Sequence, residues 1–202
     1  MKKIISFSLW GNDPKYVQGI IKNIELIPKI YPGWESIVYI GSSVKSEQVK
    51  NLNTRICYVD ENTTIYRHGA YWRFLPIFEE NDSYIIFRDA DSRISMRESE
   101  EVRKWIDSGL LVHNIKDHPN HHHFPIMAGM WGIRTGVISI SLKDMIMWAN
   151  KVYYLSDQHW LSACVYPVTS TSMYQSYLDG KTIDFVGQSY TENNIPIYGN
   201  NI

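Results

Sequence analysis

The segment Tyr84-Ile85-Ile86-Phe87-Arg88-Asp89-Ala90-Asp91-Ser92 indicates the fold more clearly than any other part of this sequence. Its first four residues form an apolar run that is typical of a buried strand. Asp89 and Asp91 follow, where the strand gives way to a loop. In an open α/β sheet, ligands bind at the carboxyl ends of the strands. Two carboxylates there can hold Mg²⁺ or Mn²⁺, which keep some waters and take further ligands from substrate phosphates. The alternative is that the pair forms only a turn or a solvated cap.

Length, charge and cysteine content narrow the class of protein. A chain of 202 residues can form one substantial core but is too short for two full domains. The formal net charge of −1 implies no general affinity for nucleic acid. Cys57 and Cys164 lie far apart without metal-ligand spacing, which favours a reduced, cytoplasmic protein. The amino-terminal segment has no signal-peptide cleavage pattern, and no run approaches the roughly 18 apolar residues of a membrane span.

Strand and helix signals alternate along the chain. The strands are predicted at residues 4–9, 36–40, 55–59, 84–87, 110–113, 127–133 and 183–186, and the helices at 13–27, 43–52, 66–78, 97–106, 141–152 and 157–165. Asp13 and Pro14 are a typical helix start, whereas Pro28 is expected to end that helix. This order predicts an α/β fold with a mostly parallel central sheet and helices on both faces. One domain is expected over residues 1–188, followed by a polar, weakly ordered tail over residues 189–202.

Two segments before the acidic pair could contact a nucleotide. The loop Leu9-Trp10-Gly11-Asn12 follows the first strand, where Trp10 could stack on a base and Gly11 would allow close approach of the backbone. Taken alone, the loop is more simply explained as a turn before a helix cap. Arg73 suits diphosphate or ribose because its guanidinium makes bidentate contacts, and the alternative is a surface ion pair.

Three segments after the acidic pair also carry chemically useful side chains. His118 or His123 could add a metal ligand or an acceptor contact. A zinc site at His121-His122-His123 is not expected, because consecutive residues rarely all reach one ion. Gly129 and Gly132 permit close approach to a sugar. Asp157 lies near a helix start, where it is either a general base or an N-cap.

These segments together resemble a group of small glycosyltransferases of the GT-A fold that occur in polysaccharide-building systems of bacteria and large viruses. The resemblance is carried by Trp72-Arg73-Phe74, Phe87 to Arg93, Arg97-Glu98, Val102, Trp105, His113, Asp117-His118-Pro119, Gly129-Met130-Trp131-Gly132, Asp157-Gln158, Trp160-Leu161 and Phe185-Val186-Gly187. It implies a single Rossmann-like GT-A domain, a nucleotide-sugar donor, usually a UDP-sugar, and Mn²⁺ or Mg²⁺ as the cofactor.

The resemblance also implies roles for individual residues. Asp91 would bind the metal directly, and Asp89 would contact the ribose and reach the metal through water. The base would lie near Leu9, Trp10, Gly11 and Asn12, and Arg73 or Arg88 would add charge beside the diphosphate. The segment from Gly129 through Trp131 to Gly132 would line the pocket for donor sugar and acceptor, and Asp157 would be the catalytic carboxylate.

The implied reaction transfers a hexosyl group to a hydroxyl of a carbohydrate acceptor, with inversion favoured over retention. Because the chain is short for this fold, the acceptor is expected to be bound by a partner chain or by residues absent from this chain. Two other classes remain open. A nucleotidyltransferase or phosphotransferase would also use acidic residues with a metal, but the sequence lacks a Gly-rich or Lys-bearing phosphate loop. A non-catalytic carbohydrate-binding module would rely on aromatic residues.

Overall fold

Seven strands form one sheet at the centre of the molecule. The computed structural model describes residues 1–45, 47, 49–179 and 183–197. The strands are Lys2–Leu9 (β1), Glu35–Gly41 (β2), Arg55–Val59 (β3), Ser83–Arg88 (β4), Val112–Lys116 (β5), Met130–Arg134 (β6) and Met173–Tyr177 (β7). Their order is β3-β2-β1-β4-β6-β5-β7. The first four strands are mutually parallel and β7 is parallel to β5, whereas β6 is antiparallel to both of its neighbours. The predicted mostly parallel sheet is therefore confirmed.

The helices connect these strands and cover both faces of the sheet. They are Pro14–Ile30 (α1), Pro76–Glu79 (α2), Met96–Ser108 (α3), Leu142–Ala149 (α4), Ser156–Trp160 (α5) and Tyr166–Thr169 (α6), with 3₁₀ helices at Gly69–Phe74, Pro119–His123 and Ser170–Ser172 and a π-helical turn at Leu161–Val165. None of the helices in the described ranges is long and apolar enough to cross a membrane.

Each face of the sheet has its own core, because successive strand residues point to opposite sides. On one face, Ile4, Ile85 and Phe87 pack against the 3₁₀ helix Gly69–Phe74 and the segment from α4 to α6. On the other, Ile5, Phe7 and Ile86 pack against α1 and α3. The predicted arrangement of helices on both faces is confirmed by this division.

Helix α1 begins as predicted and ends later than predicted. The Asp13 side chain accepts a hydrogen bond from the Lys15 backbone N–H at 3.0 Å, so Asp13 is the N-cap. Pro28 lies inside the helix, which continues to Ile30. Proline removes one backbone hydrogen bond there, but Ile24, Ile27 and Tyr31 are buried on the helix face that packs on the sheet. Tertiary packing therefore outweighs the local signal to stop.

Several other predicted boundaries need correction. Residues 183–186 form no strand, and Asp184 has a positive φ of 56°. The late strand is instead β7, whose polar sequence occupies an edge of the sheet. Strand β5 starts two residues later than predicted and extends to Lys116. The predicted helix over 66–78 is a 3₁₀ helix followed by α2, with Pro76 at the start of α2. The predicted helix over 43–52 includes residues 46 and 48, which lie outside the described residues; residues 49–51 form a turn.

The described part of the predicted tail packs against the loop that follows β4. Ser189 forms an isolated bridge with Ser92, and the Tyr190 backbone N–H donates to the Asp91 carbonyl at 2.9 Å. The Arg93 Nε donates to Asn194 Oδ1 at 2.8 Å. Residues 198–202 of the tail lie outside the described residues.

The buried His113 generates a prediction about the pH dependence of stability. Its Nε2 lies 3.0 Å from Ser176 Oγ, and its ring stacks on Trp105. Burial, with a smaller contribution from Arg88, lowers the pKa of His113 well below its usual value. Below a pH of about 6.5 the unfolded chain takes up a proton here that the folded chain resists, so acidification lowers the free energy of unfolding.

In His113→Gln, up to about one fewer proton should be taken up on unfolding. The slope of the free energy of unfolding against pH should therefore fall by up to about 1.4 kcal/mol per pH unit. Urea unfolding at pH 7.5, 6.0 and 5.0 measures the slope of the free energy of unfolding against pH. The slopes of the variant and the wild type are compared, not their absolute stabilities. Burial also lowers the pKa of His121, to about 4, so a residual slope should remain. The exposed His122→Gln variant is the control and should keep the wild-type slope. An unchanged slope in His113→Gln would contradict the prediction.

Candidate active site

The site lies where β1 and β4 end, because these adjacent parallel strands present their carboxyl ends at one edge of the sheet. Residues 10–13 follow β1, and Asp89 and Asp91 follow β4. The 3₁₀ helix Gly69–Phe74 is fixed to this edge by Ser6, whose hydroxyl donates to the Arg73 carbonyl at 2.7 Å. The Arg73 side chain is therefore anchored close to both loops.

Arg73 joins two of the predicted carboxylates. Its buried guanidinium forms an ion pair with Asp89 through Nη1, and its Nη2 lies 2.8 Å from Asp157 Oδ2. The second oxygen of Asp157 accepts the backbone N–H of Gln158 at 2.9 Å. Burial alone would lower the pKa of Arg73, but the charges of Asp89 and Asp157 raise it above its ordinary value. A permanently charged guanidinium thus holds carboxylates from two distant segments together.

The two carboxylates of the acidic pair have different surroundings. The Asp89 side chain is 43% exposed, whereas that of Asp91 is largely buried. Burial, followed by the negative charge of Asp89, raises the pKa of Asp91. Lys15 and Ser189 oppose this rise, and the Lys15 Nζ lies 3.4 Å from Asp91 Oδ2. Asp91 is consequently a partly desolvated carboxylate with one ammonium group beside it.

Gly129 is required by the close approach of Asp89. A β-carbon at position 129 would overlap the Asp89 carboxylate, so a larger residue would displace it. Gly129 immediately precedes β6, which is hydrogen-bonded to β4. The backbone at Gly129 and the guanidinium of Arg73 together determine the orientation of the Asp89 side chain.

The acidic pair suits a hard divalent cation. Its carboxylate oxygens are the ligands that Mg²⁺ and Mn²⁺ prefer. No group of three or more His, Cys, Asp or Glu side chains in the described ranges is arranged to enclose a metal. Two carboxylates fit an ion that retains water and takes other ligands from a phosphate. Asp89 and Asp91 are therefore the residues that would hold it.

The loop after β1 is built around Trp10. The Trp10 ring is 38% exposed and meets Trp72 and His68 edge-on, at centroid distances of 6.1 and 6.2 Å. Gly11 has a φ of 74°, and its N–H donates to Ser43 Oγ at 2.7 Å. The Leu9 side chain is buried in the core, whereas Asn12 is exposed. The loop thus presents Trp10, Asn12 and the backbone at Gly11, but not the side chain of Leu9.

Arg88 and Trp131 are corrected to core residues. Arg88 follows Phe87, so its side chain points to the opposite face, where Nε lies 2.7 Å from Glu98 Oε1 and Nη1 donates to two backbone carbonyls. Trp131 is fully buried against Phe87, with a centroid distance of 4.6 Å. Strand alternation and the burial of Glu98 explain both placements, and neither side chain is available to a donor.

The cap interpretation of Asp157 is also corrected. Leu155, with a φ of 64°, occupies the N-cap position of α5, and Asp157 lies within the first turn. The predicted histidines serve local structure: His118 Nδ1 accepts the Asn120 N–H and His121 Nδ1 accepts the Asp117 N–H, each at 3.1 Å. His122 stacks on Tyr177.

Two residues of the site were not predicted as candidates. Lys15 lies in the first turn of α1. Its position shortly after the end of β1 could have indicated that it lies at the site. His68 accepts the Ala70 N–H at Nδ1, and its ring packs edge-on against the rings of Trp10 and Tyr71. Burial lowers the pKa of His68. Nothing in the local sequence indicates that this ring packs against Trp10.

Comparison with known proteins shows a likeness in fold alone. No protein-family profile and no curated protein sequence matches the chain. The mannosyl-3-phosphoglycerate synthase from Rubrobacter xylanophilus is similar with a TM-score of 0.52 and 12% identity, over 88% of this chain and 66% of that one. The mannosyltransferase PcManGT from Pyrobaculum calidifontis, whose structure was solved with GDP-Man and Mn²⁺, is similar with a TM-score of 0.50 and 12% identity, over 66% of this chain and 44% of that one.

A CMP:2-keto-3-deoxy-manno-octonic acid synthetase complexed with CTP is also similar, with a TM-score of 0.50 and 10% identity over 91% of this chain and 93% of that one. The fold is therefore the GT-A type, which nucleotide-sugar glycosyltransferases share with nucleotidyltransferases. The chain spans 66% and 44% of the length of the two mannosyl-transferring proteins.

The bridging role of Arg73 predicts a coupled loss of stability. Arg73→Met should destabilise the fold by about 3–5 kcal/mol, because it leaves buried charge without a partner. Combining it with Asp157→Asn should recover part of that loss, since one of the orphaned charges is removed. Denaturant unfolding of both single variants and the double variant measures the coupling.

The control for this cycle is Arg134→Met, because Arg134 forms a more exposed pair with Asp82 at 3.0 Å. That substitution should lower the free energy of unfolding by less than about 1 kcal/mol. Strict additivity of Arg73→Met and Asp157→Asn would show that the two side chains are not energetically linked.

Proposed function

We propose that this protein is a metal-dependent glycosyltransferase that moves a sugar from a nucleoside-diphosphate sugar to a hydroxyl of a carbohydrate acceptor. The observation that carries the proposal is the cluster of Asp89, Arg73 and Asp157 beside Asp91, at the ligand-binding edge of a GT-A sheet. A UDP-sugar is the favoured donor, from the resemblance in sequence.

In this proposal, Asp91 would hold Mn²⁺ or Mg²⁺ directly, and Asp89 would contact the ribose and reach the metal through water. When bound, the metal neutralises the charge that develops on the leaving diphosphate. The presence of GDP-Man with Mn²⁺ in a protein of the same fold supports this assignment. The Lys15 ammonium group balances the charge of Asp91 and would add positive charge beside a bound diphosphate.

The remaining donor contacts are assigned from the loops at the same edge. Trp10 stacks on the base, and Asn12 and the backbone of Leu9 and Gly11 lie beside it. The backbone at Gly129 is assigned to the donor-sugar pocket, because it lies in close contact with the Asp89 carboxylate that would face the donor.

Asp157 is proposed as the general base of an inverting transfer. Arg73 and the Gln158 N–H each bind one of its oxygens, so the carboxylate is fixed in orientation. A base must lie within hydrogen-bond reach of the proton that it removes. Asp157 would take the proton of the acceptor hydroxyl, and Arg73 is the positioning residue that holds it.

A nucleotidyltransferase is the second candidate, favoured by the likeness to the CTP-bound synthetase. Such an enzyme would form a nucleotide-sugar and release pyrophosphate, whereas a glycosyltransferase releases a nucleoside diphosphate. A carbohydrate-binding module would release neither. The products therefore separate the three classes.

The deciding experiment is incubation with a set of UDP- and GDP-sugars and Mn²⁺, with detection of released nucleotide. We expect slow release of UDP that EDTA abolishes, because water can replace the acceptor. Asp91→Asn should abolish metal-dependent UDP binding while the circular dichroism spectrum is kept. The control is Asp60→Asn, an exposed aspartate in the turn after β3. Equally tight UDP binding by the wild type in EDTA would refute the metal role, and release of pyrophosphate from a nucleoside triphosphate would favour the second candidate.

The general-base role predicts a selective effect of Asp157→Asn. Donor affinity should stay near wild type, whereas transfer should fall by about 10² or more. The asparagine oxygen can still accept the Gln158 N–H, so the substitution tests mainly the charge. Asp144→Asn, in the first turn of α4, is the matched control. Transfer within a few-fold of wild type would exclude this base and favour a retaining route.

The placement of Trp10 predicts a loss of nucleotide affinity. An aromatic ring stacked on a base contributes roughly 1–3 kcal/mol, so Trp10→Ala should weaken UDP binding by about tenfold to a hundredfold without changing its metal dependence. Calorimetry and thermal unfolding are measured on the same variant, because Trp10 also packs on Trp72.

The control for Trp10 is Trp34→Ala. Trp34 packs edge-on against Tyr31 at a centroid distance of 5.1 Å. It lies just before β2, at the amino-terminal ends of the parallel strands and thus opposite the candidate site. It should lower stability and leave UDP binding unchanged. The same pattern in Trp10→Ala would show that Trp10 serves packing only.

A further inference from the structure

We propose that the acceptor sugar ring binds on an aromatic surface formed by Phe124, Tyr153 and His159, here called the acceptor surface. This inference rests on the proposed function and names a site for its second substrate. The three rings form a row: Tyr153 and His159 have centroids 5.6 Å apart, and His159 and Phe124 have centroids 5.7 Å apart. The Tyr153 hydroxyl and His159 Nδ1 are hydrogen-bonded at 2.8 Å.

The acceptor surface is accessible to a ligand. Tyr153 is 37% exposed and His159 is exposed, while Phe124 is half-buried at the other end of the row. Aromatic rings with polar tips are normally buried with a hydrogen-bond partner or placed where one end meets water. Here the two rings satisfy one another through their hydrogen bond, and both residues are exposed to solvent.

Both ends of the row connect to the candidate active site. Tyr153 precedes Asp157 by four residues, and its backbone carbonyl accepts the N–H of Ser156, the residue before Asp157, at 3.1 Å. At the other end, Phe124 begins the segment that leads to Gly129. The Ala128 N–H of that segment donates to Gln158 Oε1 at 3.2 Å. The row therefore extends from the residue beside the proposed base to the segment beside the proposed donor sugar.

The loop that carries Tyr153 has an unusual backbone. Val152 and Leu155 have positive φ angles of 42° and 64°. Positive φ angles are strained for residues other than glycine, and such residues are concentrated at functional sites. They turn the chain sharply on both sides of Tyr153. The Tyr153 side chain is held in this loop by its hydrogen bond to His159.

The chemistry of the surface fits a carbohydrate better than a small acid. A sugar presents a C–H face that packs on an aromatic ring and hydroxyls that reach polar tips. An anionic acceptor such as 3-phosphoglycerate would require cations, ideally with the planar fork of arginine. Lys151, the cation of this loop, lies 3.5 Å over the Trp148 ring, and Arg73 is engaged by Asp89 and Asp157. We therefore assign the acceptor surface to a neutral sugar ring.

Saturation-transfer NMR tests the assignment. The probes are the methyl glycosides of glucose, galactose, mannose and N-acetylglucosamine, with 3-phosphoglycerate as the anionic comparison, each added with and without UDP and Mn²⁺. We expect transfer to the ring protons of at least one glycoside. Tyr153→Ala should weaken its binding by about two- to tenfold, the range of an aromatic contact. Tyr153→Phe keeps the ring face and should retain most of the signal, which also controls for misfolding.

Tyr166→Ala is the matched control, because Tyr166 on α6 is 38% exposed, close to the value for Tyr153. It should leave glycoside binding unchanged. The inference is overturned if no glycoside receives saturation from the wild type, if Tyr153→Ala binds as well as the wild type, or if only 3-phosphoglycerate binds. Absence of UDP binding in the same samples would instead contradict the proposed function, so the two failures are distinguishable.

Discussion

The buried guanidinium of Arg73 is the interaction on which the arrangement of this site depends. Asp89 comes from the end of β4 and Asp157 from the first turn of α5, 68 residues later in the sequence. Two carboxylates repel one another in a partly desolvated edge, so they approach only because a cation lies between them. Arginine suits this place because its planar fork serves two partners at once. The hydrogen bond from Ser6 to the Arg73 carbonyl ties this cation to β1, and so ties the site to the sheet.

The sequence predicted the fold wherever local and tertiary signals agree. Strand β3 has its predicted bounds, and α1 begins at the predicted cap, because apolar runs and a capping Asp act over a few residues. Pro28 and β7 were missed for the opposite reason. Pro28 remains helical because of the core beneath it, and β7 is a polar edge strand without an apolar run. Such features depend on neighbours far away in the sequence, which a local pattern does not contain.

For the candidate site too, the sequence indicated some residues and missed how they are arranged. The resemblance named Asp89, Asp91, Arg73 and Asp157 separately, and three of them are joined by two ion pairs that no local pattern indicates. Arg88 was misplaced because an arginine at a strand end looks solvent-facing, whereas Glu98 pairs with it inside the core. Lys15 was missed because a lysine in a first helical turn has no sequence signature of its own. Ion pairs between side chains that are distant in the sequence therefore determine which of the predicted residues lie together.

The charge balance explains why this edge would accept a divalent cation together with a diphosphate. Asp89, Asp91 and Asp157 are opposed by Arg73 and Lys15, which leaves one carboxylate in excess. Arg73 is shared by two carboxylates, whereas Lys15 faces Asp91, whose pKa is raised by burial and by the charge of Asp89. A bound cation would relieve this repulsion, and its remaining charge would be balanced by a phosphate. Because Arg73 and Gly129 already orient Asp89, little side-chain freedom would be lost on binding. The edge thus has an oriented carboxylate, Asp89, beside one that burial destabilises in its charged form, Asp91.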